Sequence, residues 1–296
     1  MIKVCLIGLG KTGKEIAKTL LNQENIELVS VICSSGSLKT GKDLGEILGC
    51  KDTGLVVQGP DNIEQTVFRT KPDVVVDFSK PEATIRNAKL FSKMKVNIVI
   101  GTTGFSKIAL QKLFVLTRRY HNGIVYAPNI TLGVNVLMLL TNLASNILNN
   151  YDFQITEVHH KNKKDAPSGT ALKIAKEIEK GLKFSGTTDV KTDIPINAVR
   201  AGGVVGKHEV MIVGEDDKIE ISHESFSRQA FAKGTIHAVK FVYGKTGYFE
   251  MNDVLDLKRV LNDYVEKENH VLNKRYLYYK RNMSGQEVSL YSETGF

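Results

Sequence analysis

The stretch Val4-Cys5-Leu6-Ile7-Gly8-Leu9-Gly10-Lys11-Thr12-Gly13 decides the fold of the N-terminal half. Its first four residues form a continuous apolar run, typical of a strand buried on both faces of a parallel sheet. The three glycines then give G-x-G-x-x-G, and a helical pattern follows. In this context Gly8 permits a tight turn, Gly10 lets the backbone approach a pyrophosphate, and Gly13 lets the helix pack on the strand. The residues predicted to contact a dinucleotide here are Gly8, Leu9, Gly10, Lys11, Thr12 and Gly13.

The pair Lys11-Thr12 after Gly10 also resembles the end of a phosphate-binding P-loop. That motif requires another glycine five residues before Gly10, where this chain has Cys5. The P-loop interpretation therefore fails, and the dinucleotide fingerprint remains.

Three further short apolar runs, at residues 74–76, 98–100 and 124–126, alternate with helical stretches. This alternation predicts an α/β fold with a Rossmann-like, doubly wound parallel sheet. Ligands of such sheets bind beyond the carboxyl ends of the strands. The candidate cofactor-binding residues that follow these strands are Asp77, Phe78, Gly101, Thr102, Thr103, Ala127, Pro128, Asn129 and Ile130.

A strand predicted at residues 27–32 ends in Cys33-Ser34-Ser35, where many NAD enzymes carry an acidic residue for the ribose hydroxyls. Without that carboxylate nothing repels a 2′-phosphate, and Lys39 and Lys42 follow closely. We therefore predict that NADPH serves at least as well as NADH, with Cys33 and Ser34 at the cofactor. The alternative, that Ser34 and Ser35 merely begin a loop, stays open.

The second half has a different pattern, with one long helix from Val134 and then alternating strands at residues 197–200, 209–213 and 218–222. It predicts an α+β domain with a mixed or antiparallel sheet, and we expect this half to bind substrate and build the oligomer. The predicted organisation is a dinucleotide-binding domain at 1–130, a substrate-binding and oligomerisation domain at 131–242, and a return to the first domain at 243–296 with an extended C-terminal helix and tail. The basic and aromatic stretch at 274–281 is either a partner contact or a loosely docked tail.

The segment Glu157-Val158-His159-His160-Lys161-Asn162-Lys163-Lys164-Asp165-Ala166-Pro167-Ser168-Gly169-Thr170 carries the most chemistry. It joins a strand end, a cationic loop and a helix start. Unpaired N–H groups and the dipole at a helix N-terminus attract a carboxylate, and histidines provide acid–base chemistry near neutral pH. A solvated surface loop is the alternative for a His-His pair taken alone. The whole constellation predicts a site for an anionic substrate.

This segment resembles the signature of the dihydrodipicolinate reductase family: an acid, His-His, a lysine, then Asp-Ala-Pro-Ser-Gly-Thr-Ala, here through Ala171. The resemblance extends over about residues 3–257. It implies reduction by NADPH or NADH of 4-hydroxy-tetrahydrodipicolinate, a cyclic dicarboxylate, in the diaminopimelate route to lysine, by a homotetramer. Lys11 departs from the family, where arginine is usual.

The resemblance also implies roles for individual residues. His159 is the acid/base residue and Lys163 the proton donor, while the nicotinamide end of the cofactor lies at residues 101–103 and 127–130. The residues implied to bind the substrate are His160, Ser168, Gly169 and Thr170. Asp165 is expected to cap or orient the loop. Arg200 and Arg228 are candidates for carboxylate or cofactor contacts, or else for internal salt bridges.

Composition narrows the function classes. The net charge is +8, but the lysines are scattered and no nucleic-acid-binding motif accompanies them, so nucleic-acid binding is not expected. Three cysteines without metal-ligand spacing predict a reducing compartment and no metal site. No signal peptide is visible, and the apolar segment at 134–140 is shorter than the about 20 residues of a membrane span. We expect a cytoplasmic protein that does not bind membranes.

Two rival functions stay open. One is another nicotinamide enzyme with the same two-domain plan that acts on an amino or oxo acid. The other is a non-catalytic NADP-binding regulator, which the complete His159/Lys163 loop disfavours because a sensor needs no proton donor.

Overall fold

A computed structural model describes residues 1–185, 193–257, 259–268 and 271–272. The strands in chain order are β1 (Ile2–Ile7), β2 (Ile26–Ile32), β3 (Val74–Asp77), β4 (Asn97–Ile100), β5 (Gly123–Tyr126), β6 (Asp152–His159), β7 (Ile196–Arg200), β8 (Lys207–Val213), β9 (Lys218–Glu224) and β10 (Gly247–Phe249). The helices are α1 (Lys11–Leu21), α2 (Leu44–Leu48), α3 (Ile63–Thr70), α4 (Pro81–Lys93), α5 (Lys107–Tyr120), α6 (Leu132–Ile147), α7 (Gly169–Phe184), α8 (Gln229–Val242) and α9 (Met251–Val254). In the described ranges, no helix is both long and apolar enough to cross a membrane.

The first sheet is parallel throughout, in the order β2-β1-β3-β4-β5-β10. Every residue of β3 and β4 is buried, which explains the apolar runs at 74–76 and 98–100. The strand order reverses at β1, so the ligand crevice of a doubly wound sheet lies beyond the carboxyl ends of β1 and β3. The predicted Rossmann-like sheet is confirmed.

The sixth strand of this sheet, β10, was missed in the sequence. It has three half-buried residues and pairs with β5. Such a short segment, starting at Gly247, shows neither an apolar run nor a clear alternation.

The second sheet is mixed, in the order β7-β6-β8-β9, with β6 parallel to β7 and antiparallel to β8. One face packs with α6 and α7 in a core that includes Phe153 and Ile155 from β6 and Val210 and Ile212 from β8. The α+β part with a mixed sheet, predicted from the sequence, is thereby confirmed.

The two-residue period of β6 places Glu157 and His159 on the same face as that core. The register sets His159 beside Arg200 on β7, Glu157 opposite His208 on β8, and His208 opposite His223 on β9. The core face therefore changes from apolar to ionisable side chains towards the end of β6.

The residues up to Val254 form one compact unit, and those from Leu255 form another. Within the second unit, residues 259–268 are helical, and Arg259 pairs with Asp256 and Asp263. The basic and aromatic stretch at 274–281 lies outside the described residues.

Candidate active site

A cavity of about 1040 Å³ lies where loops after β4 and β5 meet the end of β6 and the start of α7. The predicted site residues on its wall are Thr12, Thr103, Pro128, Asn129, Ile130, His159, His160, Lys163, Gly169 and Thr170. The fold thus brings the predicted nucleotide loops and the His/Lys loop to one cavity, although they are far apart in the sequence.

A buried carboxylate, Glu157, organises the second-sheet side of this cavity. It has 0% exposed surface. Arg200 donates to its two oxygens at 3.0 and 2.7 Å, the Ser168 backbone N–H donates at 3.1 Å, and His159 Nδ1 bonds to Oε2. Burial acts to raise the pKa of Glu157, but the hydrogen bonds from Arg200 and His159 prevail and lower it. Glu157 is therefore ionised, and its carboxylate oxygens accept hydrogen bonds from Arg200, His159 and the Ser168 N–H.

The bond to Glu157 fixes the tautomer of His159. An ionised carboxylate only accepts, so Nδ1 carries the hydrogen and Nε2 presents its lone pair. Burial lowers the pKa of His159, and the cations of Lys163 and Arg200 lower it further, against the opposing effect of Glu157. His159 is therefore neutral at physiological pH and able to accept a proton at Nε2.

The loop after β6 holds Lys163 through Asp165. The Lys163 ammonium lies 2.8 Å from Asp165 Oδ1, and Arg200 donates to the Asp165 carbonyl at 2.6 Å. Burial acts to raise the pKa of the Asp165 carboxyl, but Lys163 prevails and lowers it. Asp165 orients the loop, as expected, and Arg200 makes an internal salt bridge to Glu157, one of the two alternatives left open for it.

The start of α7 offers N–H groups to an anion. Ser168 caps the helix by accepting from the Ala171 N–H at 3.2 Å, and its own N–H is held by Glu157. Gly169 lies on the cavity wall, and a Cβ there would have no atom of the described residues within 4 Å, so the first turn of α7 is uncrowded on that side. Thr170 Oγ1 donates to Asn129 Oδ1 at 2.6 Å and joins the two halves of the site. The arrangement suits a carboxylate.

The glycine-rich loop has the shape that a dinucleotide requires. Gly8 has φ +94°, and a Cβ at Gly13 would lie 1.9 Å from the Gly8 carbonyl oxygen. A Cβ at Gly10, in contrast, would meet nothing within 4 Å in the described structure. No side chain among the described residues caps α1 at Gly10, so a free helix N-terminus faces an open cradle. These residues fit a nicotinamide dinucleotide.

Alanine at Gly10 and at Gly13 should therefore have different effects. Gly13→Ala is expected to lower the free energy of unfolding by about 1–3 kcal/mol, because backbone must move. Gly10→Ala should change it by less than about 0.5 kcal/mol yet weaken NADPH binding about tenfold, or 1.4 kcal/mol, because the methyl group fills the cradle. Urea unfolding and fluorescence titration measure the two effects. Equal decreases in the free energy of unfolding for Gly10→Ala and Gly13→Ala would contradict this geometry.

At the end of β2 the predicted residues divide into buried and available groups. The Cys33 thiol is buried and lies 3.1 Å from Thr40 Oγ1 and 3.4 Å from the Gln58 carbonyl oxygen. Ser34 is exposed, and Lys39 Nζ donates to the Leu9 carbonyl at 2.7 Å. Ser34 and Lys39, rather than the Cys33 side chain, are therefore the groups available to a cofactor.

Comparison with known proteins identifies the family. A family model described as dihydrodipicolinate reductase, N-terminus, matches residues 2–130, and the one described as dihydrodipicolinate reductase, C-terminus, matches residues 133–255. The chain belongs to the dihydrodipicolinate reductase family. This confirms the resemblance inferred from the sequence.

Individual reductases agree with this membership. The 4-hydroxy-tetrahydrodipicolinate reductase of Methanococcus aeolicus is 36% identical over 271 residues, covering 87% of this chain and 99% of the relative. That of Methanopyrus kandleri is 40% identical over 268 residues, covering 86% and 97%. A solved structure, dipicolinate-bound dihydrodipicolinate reductase from Paenisporosarcina sp. TG-14, is 31% identical with a TM-score of 0.69, covering 84% of this chain and 97% of the other.

Other predicted cofactor residues of this reductase brace the strand ends. The Asp77 carboxylate is buried, which raises its pKa, and it accepts from the Ser79 N–H and hydroxyl. Thr102 Oγ1 donates to the Asp77 carbonyl at 3.3 Å. The Phe78 ring occupies the space where a Cβ at Gly101 would stand. Ala127 is fully buried. Contacts from these positions to a cofactor would come mainly from the backbone and from Phe78.

Two histidines on the cavity wall, His208 and His223, were assigned no role from the sequence. The His208 ring packs edge-on against His159 at 5.2 Å, and its Nε2 lies 3.3 Å from Ser168 Oγ. The pairing of β8 with β6 and of β9 with β8 places each histidine on the cavity side of its strand. This pairing joins segments that are distant in the sequence. The period of two along β8, with Val210 and Ile212 buried, is the one signal that could have placed His208.

Arg228 lies on the wall of the same cavity and of a smaller one, of about 580 Å³, which Lys11 and Lys14 also line. In the described part of the chain no ion pair is recorded for Arg228, so its guanidinium is available to an anionic ligand, unlike that of Arg200.

Glu157, His159 and His208 place possible ligand atoms within 4.8 Å of one another, which is the spacing of a metal site. However, Arg200 already holds both oxygens of Glu157, and a second cation beside its guanidinium and the Lys163 ammonium would be repelled. The cluster is better explained as a hydrogen-bonded acid–base assembly than as a metal centre.

The buried His208 should make the stability of the fold sensitive to acid. Burial lowers its pKa to about 3, with His159 contributing. Below the ordinary histidine pKa of about 6.5, His208 binds a proton in the unfolded chain but not in the folded chain. The free energy of unfolding therefore decreases by about 1.4 kcal/mol for each unit by which the pH falls. Urea unfolding from pH 7 to pH 5 should show a flatter decline for His208→Gln. Parallel slopes in the two proteins would contradict the assignment.

Proposed function

We propose that this chain catalyses the reduction of 4-hydroxy-tetrahydrodipicolinate to tetrahydrodipicolinate by NADPH or NADH, the reaction of the diaminopimelate route to lysine. The observation that carries the proposal is the single cavity in which the dinucleotide loops face the His159/Lys163 loop and the start of α7. Family membership and the names of the curated relatives support it. The relative from Paenisporosarcina, solved with dipicolinate, supports a cyclic dicarboxylate as the substrate class.

Tetrahydrodipicolinate has one oxygen fewer than its 4-hydroxy precursor, so the 4-hydroxyl leaves as water together with a ring proton. The conjugated ring that results then takes a hydride on one carbon and a proton on its conjugate partner, and reduced nicotinamide would supply the hydride when it is bound. The N–H groups of Gly169 and Thr170 hold one substrate carboxylate, aided by the helix dipole. His160 and Lys163 lie on the same wall and hold the rest of the dianion. Lys163 donates the proton as negative charge develops. His159, neutral with a free Nε2, serves as the acid/base group that takes up or releases a proton at that nitrogen.

The proposal extends to assembly and location. Along β6 and β8 of the second sheet, every second residue is buried and most of the residues between them are partly exposed. The edge strand β9 carries exposed Lys218 and Glu220. We propose that this sheet builds a homotetramer, as the family resemblance implies. We also propose that the enzyme works in the cytoplasm, in keeping with its free cysteines at positions 5, 33 and 50.

The proposed function is tested by following the loss of reduced-nicotinamide absorbance with substrate generated in situ by the preceding synthase. Rapid, synthase-dependent oxidation is expected. Oxidation with an amino or oxo acid, and none with the cyclic substrate, would favour another nicotinamide enzyme. Cofactor binding without turnover of either would favour the regulator.

Cofactor preference depends on Lys39 in this account. Lys39→Met should raise KM for NADPH by about tenfold more than KM for NADH, since a charged hydrogen bond to the 2′-phosphate is worth about 1.5–3 kcal/mol. The bond from Lys39 to the Leu9 carbonyl is lost for both cofactors, so only the ratio of the two KM changes reports on the 2′-phosphate. Lys42→Met is the matched control, because Lys42 already pairs with Glu46. Equal changes for both cofactors in Lys39→Met would contradict a role at the 2′-phosphate.

A further inference from the structure

Three substrate-facing parts of the cavity wall meet at one buried ion pair. Glu157 bonds His159 on its own strand and also bonds the Ser168 N–H at the start of α7. Arg200, on β7, is the third partner of Glu157, and it also reaches the loop that carries Lys163. Neither Glu157 nor Arg200 lines the cavity, and Glu157 has 0% exposed surface.

The contacts of Arg200 are specific to a guanidinium. Nη1 and Nη2 reach separate oxygens of Glu157 at 3.0 and 2.7 Å, and Nη2 also donates to the Asp165 carbonyl at 2.6 Å. Asp165 in turn holds the Lys163 ammonium at 2.8 Å. A planar fork can make these bonds together, whereas a lysine ammonium cannot reproduce their spacing.

We propose that Arg200 and Glu157 act as a positioning pair, which fixes His159 with Nε2 free and aligns the Lys163 loop and the start of α7 with it. This inference deepens the proposed function and rests on it for the reaction concerned. Neither residue touches substrate. Each acts through His159, Lys163 or Ser168, so that one ion pair sets the geometry of both proton-handling groups and of the carboxylate site.

A purely structural salt bridge would stabilise the fold without controlling His159, so the test must follow His159 itself. The charged and titratable groups that face it are Glu157 on β6, Arg200 on β7, His208 on β8 and Lys163 in the loop, with His223 on β9 behind His208. Within this set Glu157 favours the protonated imidazole, and Arg200 disfavours it.

The two members of the pair should therefore shift His159 in opposite directions. Arg200→Met removes a cation, and the pKa of His159 should rise. Glu157→Gln removes the anion and leaves Arg200 uncompensated, so the pKa of His159 should fall. The measurement is an NMR pH titration of the histidine ring signals in the full-length protein, with the His159 signal assigned by its loss in His159→Gln.

Kinetics provide the second readout. Arg200→Met should lower kcat by about 10²-fold, the effect of misplacing reacting groups by about 1 Å, with KM for NADPH unchanged. Compared with Arg200→Met, Arg200→Lys should regain stability but only part of kcat, because lysine restores the positive charge without the planar guanidinium. If Arg200→Met leaves a buried unpaired carboxylate and unfolds, the double variant Glu157→Gln/Arg200→Met removes both charges and should fold with kcat still reduced.

The outcomes separate this inference from the proposed function. Opposite shifts of His159 with reduced kcat support the positioning pair. An active wild type in which both variants leave the His159 titration unchanged, or shift it the same way, overturns it. If the wild type does not reduce the cyclic substrate, the proposed function fails, while the NMR titration still decides whether the pair controls His159.

Discussion

Replacing His159 by glutamine is expected to lower kcat by about 10²–10⁴-fold, the usual contribution of a positioned acid/base group. Glutamine is polar and of similar reach, but it cannot exchange a proton near neutral pH. The neutral imidazole has Nδ1 committed to Glu157, so Nε2 is its one site for a proton. Steady-state rates with the cyclic substrate measure the loss, and NADPH affinity should be unchanged because the glycine-rich loop is not altered.

The matched control is His237→Gln, at an exposed position on α8 that does not line the cavity. Its kcat should equal that of the wild type. Full activity in His159→Gln, or an equal loss in the two variants, would contradict the role of His159.

Replacing Lys163 by methionine is expected to lower kcat/KM by about 10³-fold or more. Two effects combine: loss of a charged hydrogen bond to the dianionic substrate, worth about 1.5–3 kcal/mol, and loss of the proton donor, worth about 10²–10⁴-fold. Methionine keeps an unbranched apolar stem of similar length, so packing should change little. The split between kcat and KM shows how much of the effect is chemistry and how much is binding.

Lys164→Met provides the comparison for Lys163→Met. Lys164 is the next residue of the same loop and is exposed, and it does not line the cavity. Lys164→Met removes the same positive charge, so it should reproduce any loss of general electrostatic attraction for the substrate. It should not reproduce the loss that is specific to the Lys163 ammonium. Similar kinetics in the two variants would mean that only the overall charge of the loop matters.

The parallel sheet was readable from the sequence because its signals are local. A strand buried on both faces is a continuous apolar run, and the glycine fingerprint after β1 requires a strand before it and a helix after it. The strand β10 was not readable, since three half-buried residues that begin at Gly247 carry no period. Its place in the sheet comes from pairing with β5, more than a hundred residues earlier in the chain.

The candidate site was readable to the extent that its residues are neighbours in the chain. His159 at the end of β6, Lys163 in the loop that follows and the start of α7 all lie in one short segment of the chain. The partners that set their protonation state come from other strands: Arg200 from β7 and His208 from β8. Register decides which of their side chains face Glu157, and a shift by one residue would turn each to the opposite face. The sequence therefore left two roles open for Arg200, and the structure places it on Glu157.

Isotope transfer tests the central claim most directly. The wild-type enzyme would be supplied with NADPH that carries deuterium at the transferable position of its nicotinamide, together with synthase-generated substrate, and the product would be analysed by mass spectrometry. One deuterium is expected in each tetrahydrodipicolinate molecule when the label is on one face of the nicotinamide, and none when it is on the other face. His159→Gln should form labelled product only at its reduced rate. Oxidised cofactor without deuterium in the cyclic product would contradict it.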